Sequence, residues 1–389
     1  CCCGPKITHL VEVPGMRHYS SLLFVSLLCL LAGAAACSEV GTGPVRTEKV
    51  PVRLVTVASG LEQPWGMAFL PDGRLLVSER PGRLRIVAMD GTVAEPLAGV
   101  PPVDAVGQGG LLDVQLDPDY VSNGWVYLSY TEPREGGNGT TVARGRLTPA
   151  GLDSVQVIFR HRPTIDGKHH FGSRLIFARD GNLFVTLGDR NSERDGAQDL
   201  GSHLGKVVRI RPDGSVPDTN PFVNTRGALP EIWSYGHRNV QGAAVHPATG
   251  ELWTNEHGPK GGDEFNRTLA GRNYGWPVIT FGNEYSGKVI SEEAERPGME
   301  PPAHYWVPSI ATSGLIFYTG AAFPAWQGNA LIGGLAGQQV SRLELEGNQV
   351  VHEEVLLKGV IKARVRDIEQ GPDGLVYLLT GENRGQLLR

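Results

Sequence analysis

The feature that most limits how this chain can fold is a short unit that recurs along it. A turn of Pro, Asp and Gly leads into an apolar stretch of strand length at residues 71–77, 118–128, 180–187, 247–253, 324–332 and 372–379. Asp-Gly and Pro-Asp-Gly supply the backbone angles of a tight hairpin. Successive copies lie roughly 47 to roughly 77 residues apart, around the size of a four-stranded blade with variable loops. The sequence therefore predicts an all-β, six-bladed β-propeller of four-stranded antiparallel blades.

Ring closure determines how such blades bury their faces. A single blade exposes both faces of a small sheet, so the ring must close to cover them. With 389 residues, of which 40% are hydrophobic, the chain is long enough for one closed domain, which we place at residues 50–389. We expect a strand at residues 50–57 to complete the last blade beside the C-terminal strands. An open β-sandwich with similar turns is the alternative.

The N-terminal region has the pattern of an export signal. From Met16, a short basic start precedes an apolar run at residues 22–31 and small residues at 34–36. At about ten residues, the apolar run is too short to remain as a membrane-spanning helix. We interpret residues 1–37 as upstream residues followed by a signal or lipoprotein peptide, and residues 38–49 as a polar tether. The predicted location is the periplasm or the cell envelope.

Cysteine usage bears on both stability and anchoring. All five cysteines precede residue 38, so the folded body can hold neither a disulfide nor a thiolate metal site. The small residues before Cys37 resemble a bacterial lipobox, in which that cysteine is lipidated after cleavage. Ala34 stands where leucine is usual in a lipobox, so cleavage without lipid stays open as the alternative to an anchor at Cys37.

The overall charge argues against two classes of partner. The formal net charge is -5, the sequence pI is about 6.1, and no run is rich in Lys and Arg. Nucleic acid and anionic membrane surfaces are therefore not expected partners.

A histidine and an aspartate bracket the third repeat. His170 precedes a predicted strand, and Asp189 follows the hairpin partner of that strand. Residues in these two places can meet at one mouth of a propeller, which would give a base with a supporting carboxylate. A surface histidine and an aspartate that only caps a turn are the alternative.

Two further segments concentrate polar residues. Residues 235–242 include Arg238 and Asn239 between glycines, a pattern that favours an anionic, hydrogen-bonding ligand. Residues 255–264 form a Gly/Pro-rich loop whose carbonyls could converge on a hard cation such as Ca²⁺, although an acidic surface loop would have the same composition. Transition-metal sites are disfavoured, because the histidines lack ligand spacing and no cysteine is available.

Seven segments together resemble one known family. The chain is similar to the soluble pyrroloquinoline-quinone-dependent glucose and aldose sugar dehydrogenases over roughly residues 50–389. The segments that carry the resemblance are residues 107–113, 170–174 with 188–189, 236–242, 256–264, 273–277, 306–314 and 364–367.

The resemblance implies a reaction and its catalytic residues. His170 would be the general base that takes the proton of the sugar C1 hydroxyl while hydride leaves C1 for the quinone. Asp189 would support that histidine, and Arg238 would polarise a quinone oxygen. The sequence contains no Cys-x-x-Cys-His haem motif, so electrons must leave to a separate acceptor.

The resemblance also implies how the cofactor and calcium would be held. The residues expected to contact the quinone cofactor, beside Arg238, are Gln108, Asn239, Trp306, Ser309, Arg364 and Arg366. Gly258 and Pro259 would offer carbonyls to the Ca²⁺ that bridges to the cofactor. Glu264 and Tyr274 match a second, structural Ca²⁺ site that part of the family has.

One departure from the family concerns a cation. Where the family often has a lysine at the cofactor, this chain has Ala336, and Lys260 or Arg342 would have to reach in as its substitute. Two other functions remain open: a calcium-dependent sugar lactonase, which would need carboxylates at the ring centre, and a propeller that serves only as a binding scaffold.

Overall fold

The ring of six blades is the main architectural feature. The computed structural model describes residues 43–389, so the predicted signal peptide and the possible anchor at Cys37 lie outside the described residues. Within the described range, no helix has the length and apolar character that crossing a membrane requires. Before the first blade the chain forms β1 (Val45–Arg46), β2 (Pro51–Val52) and β3 (Thr56–Leu61).

Each blade is an antiparallel sheet, and its strands follow one another along the chain except in the sixth blade, which β3 joins. The first blade contains β4 (Pro64–Phe69), β5 (Leu75–Glu79) and β6 (Arg83–Val87). The second contains β7 (Leu111–Leu116), β8 (Trp125–Arg134), β9 (Gly137–Thr148) and β10 (Gly151–Arg160), with the short helix α1 (Tyr120–Asn123) between β7 and β8. The third contains β11 (Leu175–Phe177), β12 (Leu183–Thr186), β13 (Lys206–Ile210) and β14 (Ile232–Tyr235), with a 3₁₀ turn at Arg194–Gln198.

The remaining three blades repeat this order. The fourth contains β15 (Val240–Val245), β16 (Leu252–Glu256), β17 (Asp263–Arg267) and β18 (His304–Trp306). The fifth contains β19 (Thr312–Phe317), β20 (Ala330–Gly334), β21 (Gln339–Glu346) and β22 (Gln349–Leu356), with a 3₁₀ turn at Pro324–Trp326. The sixth contains β23 (Val365–Gln370), β24 (Val376–Thr380) and β25 (Gly385–Leu388), and its fourth strand is β3.

The predicted repeats match the blades. Each of the six turns falls between the first and the second strand of a blade. The first strands β4, β7, β11, β15, β19 and β23 contact one another in sequence, and β23 returns to β4, so the ring is closed. The six-bladed prediction is confirmed, and the open sandwich is excluded.

The strand that closes the ring is shifted from its predicted position. β3 pairs with β25, with Leu61 opposite Gly385, so the N-terminal strand does join the last blade. It begins at Thr56, however, and not at residue 50. Residues 51–52 pair with β1 instead, with Val52 opposite Val45 and Pro51 opposite Arg46.

The end of the predicted tether is packed on the fifth blade. The Glu48 backbone N–H donates to the Glu354 carboxylate at 2.6 Å, and the Glu48 carboxylate lies 2.7 Å from His352 and 3.5 Å from Arg342.

The first blade has a less regular fourth edge, where the Ala94 backbone N–H donates to the carbonyl of Ile86.

A buried ion cluster crosses the middle of the ring. Arg174 Nη1 lies 3.0 Å from Asp113 Oδ1 on the second blade and 3.0 Å from Asp367 Oδ1 on the sixth. Asp113, Arg174 and Asp367 each stand three residues before the last residue of the first strand of their blade. The other three blades have a glycine at this position: Gly66, Gly242 and Gly314. These glycines leave room for the cluster, since a Cβ at Gly66 would lie 2.6 Å from Asp113 Oδ1.

Burial shifts the pKa values of both aspartates in this cluster. Burial raises the pKa of Asp367 to about 7, while the positive charge of Arg174 opposes that rise. The same two effects act on Asp113, whose pKa is also raised. Removal of the arginine would leave both carboxyl groups buried without a counter-charge.

We expect Arg174→Leu to lower the free energy of unfolding by about 3 to 5 kcal/mol, the usual cost of breaking a buried ion pair. Urea unfolding followed by circular dichroism measures the loss. The matched control is Arg160→Ala, which breaks an exposed pair with Glu132 and should cost less than about 1 kcal/mol. Equal small losses in the two variants would contradict a structural role for the cluster.

Candidate active site

The topology gathers the predicted site residues at one mouth of the ring. In antiparallel blades, the first strand begins where the second strand ends. His170 and Arg238 precede β11 and β15, Asp189 follows β12, and Arg364 precedes β23. These four residues therefore lie at the same end of their blades.

His170 and Asp189 form a buried pair. His170 Nδ1 lies 2.6 Å from Asp189 Oδ1, and only 7% of the histidine is exposed. The carboxylate also accepts from the backbone N–H of Asn191 and from the Trp276 indole N–H, both at 2.8 Å. The aspartate is thus fixed by three donors, and Nε2 is the ring nitrogen of His170 that the pair leaves available.

The surroundings keep this histidine neutral. Burial lowers the pKa of His170, the hydrogen bond to Asp189 opposes this effect, and the nearby charge of Arg238 adds to it. Burial alone would raise the pKa of Asp189, but the hydrogen bond from His170 and the charge of Arg238 bring it below its usual value. A neutral imidazole beside an ionised carboxylate is suited to accept a proton.

Arg238 is held against the backbone of the loop at residues 255–264. Its Nη1 donates to the carbonyls of His257 at 3.0 Å and Gly258 at 2.7 Å. Its backbone N–H donates to Glu256 at 2.5 Å, and its own carbonyl accepts from Asp189 N–H at 2.8 Å. The backbone of Arg238 is therefore bonded to that of Asp189, while its guanidinium is held by the carbonyls of His257 and Gly258.

Amide side chains connect the predicted cofactor residues. Gln108 Oε1 accepts the backbone N–H of His170 at 2.9 Å. Gln241 Nε2 donates to Asn239 Oδ1 at 3.3 Å, and Gln241 Oε1 accepts from Arg366 Nη1 at 2.9 Å. Asn239 Oδ1 also accepts from Gly172 N–H at 3.1 Å, so the contacts of Gln108, Asn239 and Arg366 all lead to the segment that contains His170.

Three arginines supply uncompensated positive charge. Among residues 43–389, no carboxylate forms an ion pair with Arg80, Arg364 or Arg366. Burial, followed by repulsion from Arg364, Arg80 and Arg174, lowers the pKa of Arg366 to about 9. Such a cluster suits a ligand that carries several carboxylates.

Sequence reasoning missed two parts of this site. Arg80 directly follows β5, so like Asp189 it comes after the second strand of a blade, but this relation appears only when the strand ends are known. Trp65 lies under the arginines, with its ring 4.4 Å from the Arg174 guanidinium carbon and 5.7 Å from that of Arg366. The position of Trp65 at the start of the first inner strand is the sequence feature that could have identified it as part of the site.

The loop predicted to bind calcium carries the expected carbonyls. Gly258 O accepts from Arg238, and Pro259 O lies 3.5 Å from the Ser309 hydroxyl. In the part of the chain that the structure describes, no three His, Cys, Asp or Glu side chains are grouped to hold a metal ion. Any calcium at this loop would therefore depend on backbone oxygens.

Glu264 provides a buried acidic group nearby. Burial, together with the charge of Glu256, raises the pKa of Glu264 to about 8. A small cavity lies between these two residues and Trp276. Glu256 pairs with His237 Nδ1 at 2.8 Å, whereas among residues 43–389 no ion pair involves Glu264, so the carboxylate of Glu264 is the one that suits a cation. The Tyr274 hydroxyl is already used by Arg267 O and by Leu269 N–H, so only the backbone carbonyl of Tyr274 is left as a ligand.

Trp306 and Ser309 occupy different surroundings. Ser309 reaches the loop at residues 255–264, because its hydroxyl accepts from Gly261 N–H at 3.1 Å. The Trp306 indole instead donates to Glu353 on the fifth blade at 2.8 Å and packs against Phe265. The indole of Trp306 is therefore directed toward the fifth blade, although its carbonyl accepts from Gly262 N–H at 2.8 Å.

The structure also narrows the search for a substitute for the missing lysine. Ala336 is exposed just after β20, at the same mouth. Arg342 is bound to Glu344 at 2.6 Å and Glu354 at 2.7 Å on the outer strands, so it does not replace that lysine. The exposed Lys260 remains the candidate.

Comparisons with known proteins agree with this geometry. The sequence model of the glucose/sorbosone dehydrogenase family matches residues 61–389. Aldose sugar dehydrogenase YliI of Escherichia coli is 41% identical over 378 residues, which cover 96% of this chain and 98% of that protein.

Two solved structures share the fold. A glucose dehydrogenase with 48% identity covers 86% of this chain and 98% of its own, with a TM-score of 0.84. The PQQ-bound aldose sugar dehydrogenase of Streptomyces coelicolor, 30% identical, covers 90% of this chain and 98% of its own, with a TM-score of 0.71. The predicted family resemblance is confirmed: this chain belongs to the glucose/sorbosone dehydrogenase family.

Proposed function

We propose that this chain oxidises the C1 hydroxyl of aldose sugars to the lactone, with hydride transfer to bound pyrroloquinoline quinone and with assistance from Ca²⁺. The observation that carries the proposal is the buried His170–Asp189 pair at 2.6 Å, beside Arg238 and the unpaired arginines. The names of the relatives support the same substrate class and the same cofactor.

The histidine would act on the sugar hydroxyl. His170 is neutral and keeps Nε2 for a ligand, so this nitrogen can take the C1 hydroxyl proton. Asp189 fixes the tautomer through Nδ1 and stabilises the imidazolium that forms. Loss of this proton raises electron density at C1 and eases the departure of hydride. Bound pyrroloquinoline quinone would supply the hydride acceptor, polarised by Ca²⁺ as a Lewis acid.

The remaining residues would hold the cofactor and its metal. Arg364 and Arg366, with Arg80, would bind the cofactor carboxylates, and Arg238 would donate to a quinone oxygen. Gly258 and Pro259 would offer carbonyls to the catalytic Ca²⁺. Glu264 and the Tyr274 carbonyl would hold the second, structural Ca²⁺.

We also propose that the enzyme acts in the periplasm or cell envelope and passes its electrons to a separate acceptor. The signal pattern at residues 16–37 supports export, and lipidation of Cys37 would keep the enzyme at the envelope. Mass spectrometry of the mature N-terminus tests both cleavage and lipidation.

Reconstitution tests the activity. Purified apoprotein receives pyrroloquinoline quinone and Ca²⁺, and dye reduction is followed with glucose and other aldoses. Hydrolysis of gluconolactone without quinone would instead identify a lactonase, and neither activity would point to a binding scaffold. A lactonase is disfavoured because Asp113 and Asp367 at the ring centre are already bound by Arg174.

We expect His170→Gln to lower kcat at least about a hundredfold while cofactor binding is retained, as is usual when a general base is lost. In the wild type, activity should fall as the pH drops through the pKa of His170, which burial places below its ordinary value. His169→Gln is the matched control and should stay active. The reverse result would assign the base to His169.

Calcium removal is expected to abolish activity. EDTA should inactivate the holoenzyme, and Ca²⁺ but not Zn²⁺ should restore it, because carbonyl ligands suit a large, hard cation. Thermal melting gives a second readout: Ca²⁺ should raise the Tm of the wild type but raise that of Glu264→Gln less. Glu292→Gln, at an exposed position, is the control. Full activity in calcium-free holoenzyme would contradict the proposal.

Ala336→Lys is expected to tighten cofactor binding. One charge-assisted hydrogen bond is worth roughly 1.5 to 3 kcal/mol, or about ten- to a hundred-fold in Kd. Titration of the apoprotein with pyrroloquinoline quinone at fixed Ca²⁺ measures this change. Gln338→Lys adds the same charge two residues away and should bind like the wild type. Equal or weaker binding by Ala336→Lys would mean that another group, such as Lys260, fills the role.

A further inference from the structure

Arg190 is buried without a carboxylate partner. Only 1% of this residue is exposed, and it forms no ion pair with any carboxylate in residues 43–389. Burial lowers the pKa of Arg190 to about 10, so the side chain stays charged at neutral pH. A buried, unpaired cation is costly to fold around, and packing alone would be served better by an apolar side chain.

The guanidinium joins three separate backbone segments. Nε donates to His169 O at 3.1 Å, and Nη2 donates to Gly167 O at 2.7 Å. Nη1 and Nη2 also donate to the backbone carbonyl and the side-chain oxygen of Asn138 in β9, at 3.2 and 2.7 Å. The guanidinium carbon lies 4.0 Å from the centre of the Phe171 ring. One side chain thus connects the end of the second strand of its own blade, the segment before β11, and the neighbouring blade.

One of these contacts acts on the peptide group of the proposed base. The carbonyl of His169 and the N–H of His170 belong to the same peptide plane. Arg190 holds that plane at the oxygen, and Gln108 holds it at the N–H, at 2.9 Å. His170 has a φ of 51°, a left-handed conformation that is unfavourable for a residue with a side chain. The two contacts help to keep this unfavourable conformation in place.

The backbone of Arg190 fixes the partner carboxylate. Arg190 and Asn191 have φ values of 57° and 67°, and this turn brings the Asn191 N–H to 2.8 Å from Asp189 Oδ1. Arg190 therefore has two roles: its side chain bonds the peptide group before His170, and its backbone forms the turn that follows Asp189.

We propose that Arg190 is a positioning residue that locks the peptide plane before His170 to the turn of Asp189, and so keeps Nδ1 on the carboxylate and Nε2 toward the mouth. The inference rests on the proposed role of His170 as the base. Arg190 is not among the charges that dominate the pKa shift of His170, so its effect is exerted through geometry.

Arg190→Lys tests the proposal, because it keeps the charge but cannot bond all four oxygens. We expect kcat per bound cofactor to fall about tenfold to a hundredfold, the cost of misplacing a reacting group by about 1 Å. The sugar KM and the Kd for pyrroloquinoline quinone should change less than about twofold. The acid limb of the pH profile should move to lower pH, because a weaker bond to Asp189 stabilises the protonated imidazole less.

Arg134→Lys is the matched control. Arg134 is a neighbouring, largely buried arginine that donates to His161 O at 2.8 Å and contacts neither His169 nor Asp189. Arg134→Lys should lower the Tm to an extent similar to that of Arg190→Lys, and it should leave kcat per bound cofactor unchanged. If Arg190→Lys keeps the wild-type kcat and pH profile, or if the control loses as much, the positioning role is wrong.

An activity-independent readout separates this inference from the proposed function. The NMR titration of the His170 ring in apoprotein should show a lower pKa in Arg190→Lys than in the wild type, whether or not sugar is oxidised. An unchanged titration would overturn the inference. If wild-type holoenzyme fails to oxidise any aldose while the titration does shift, the proposed function alone is contradicted.

A milder variant covers a failure of Arg190→Lys to fold. Asn138→Ala leaves the guanidinium in place but removes one of its acceptors. We expect a severalfold fall in kcat and a smaller shift of the His170 titration in the same direction. No change in either quantity would count against the proposal.

Discussion

The buried contact of Arg174 with two aspartates is the interaction on which the rest of the molecule depends. Each carboxylate also caps a neighbouring blade: Asp113 Oδ2 accepts from Leu175 N–H at 2.7 Å, and Asp367 Oδ2 accepts from Met67 N–H at 3.0 Å. The cluster therefore links the second blade to the third and the sixth to the first. It connects blades on either side of the point where the chain closes its ring.

The candidate site is built directly on this cluster. The Arg174 guanidinium lies against Trp65, and Trp65 packs with Leu112 and Phe171 beneath the mouth. The first strands carry register shifts near their mouth ends, including those between Val240 and Gly242 and between Val365 and Asp367. An extra residue at such a bulge re-aims the side chains next to it. Gln241 and Arg366, each within one of these shifts, meet at 2.9 Å.

Local chemistry made much of this architecture predictable from the sequence. The turns of Pro, Asp and Gly encode their own backbone angles, so six blades could be predicted without tertiary information. The pairing of His170 with Asp189 followed from hairpin topology, since both flank the same pair of strands. Side-chain direction was less accessible. Trp306 lies in a segment typical of the family, but the direction of its indole is set by Glu353 on another blade. In the same way, the sequence does not show that Arg342 is paired, because its partners Glu344 and Glu354 are identified only in the folded structure.

The balance of charge at the mouth explains how the site can lack a lysine at position 336. Burial and then repulsion from Arg364, Arg80 and Arg174 lower the pKa of Arg366, so this group of arginines carries unfavourable electrostatic energy. An anion with several carboxylates would relieve that repulsion on binding, which turns the strain into affinity. A further ammonium group would strengthen attraction to the anion but would also increase the repulsion before binding. Arg80, Arg364 and Arg366 would thus supply attraction to such an anion without an ammonium group at position 336, and a lysine there would add to that attraction.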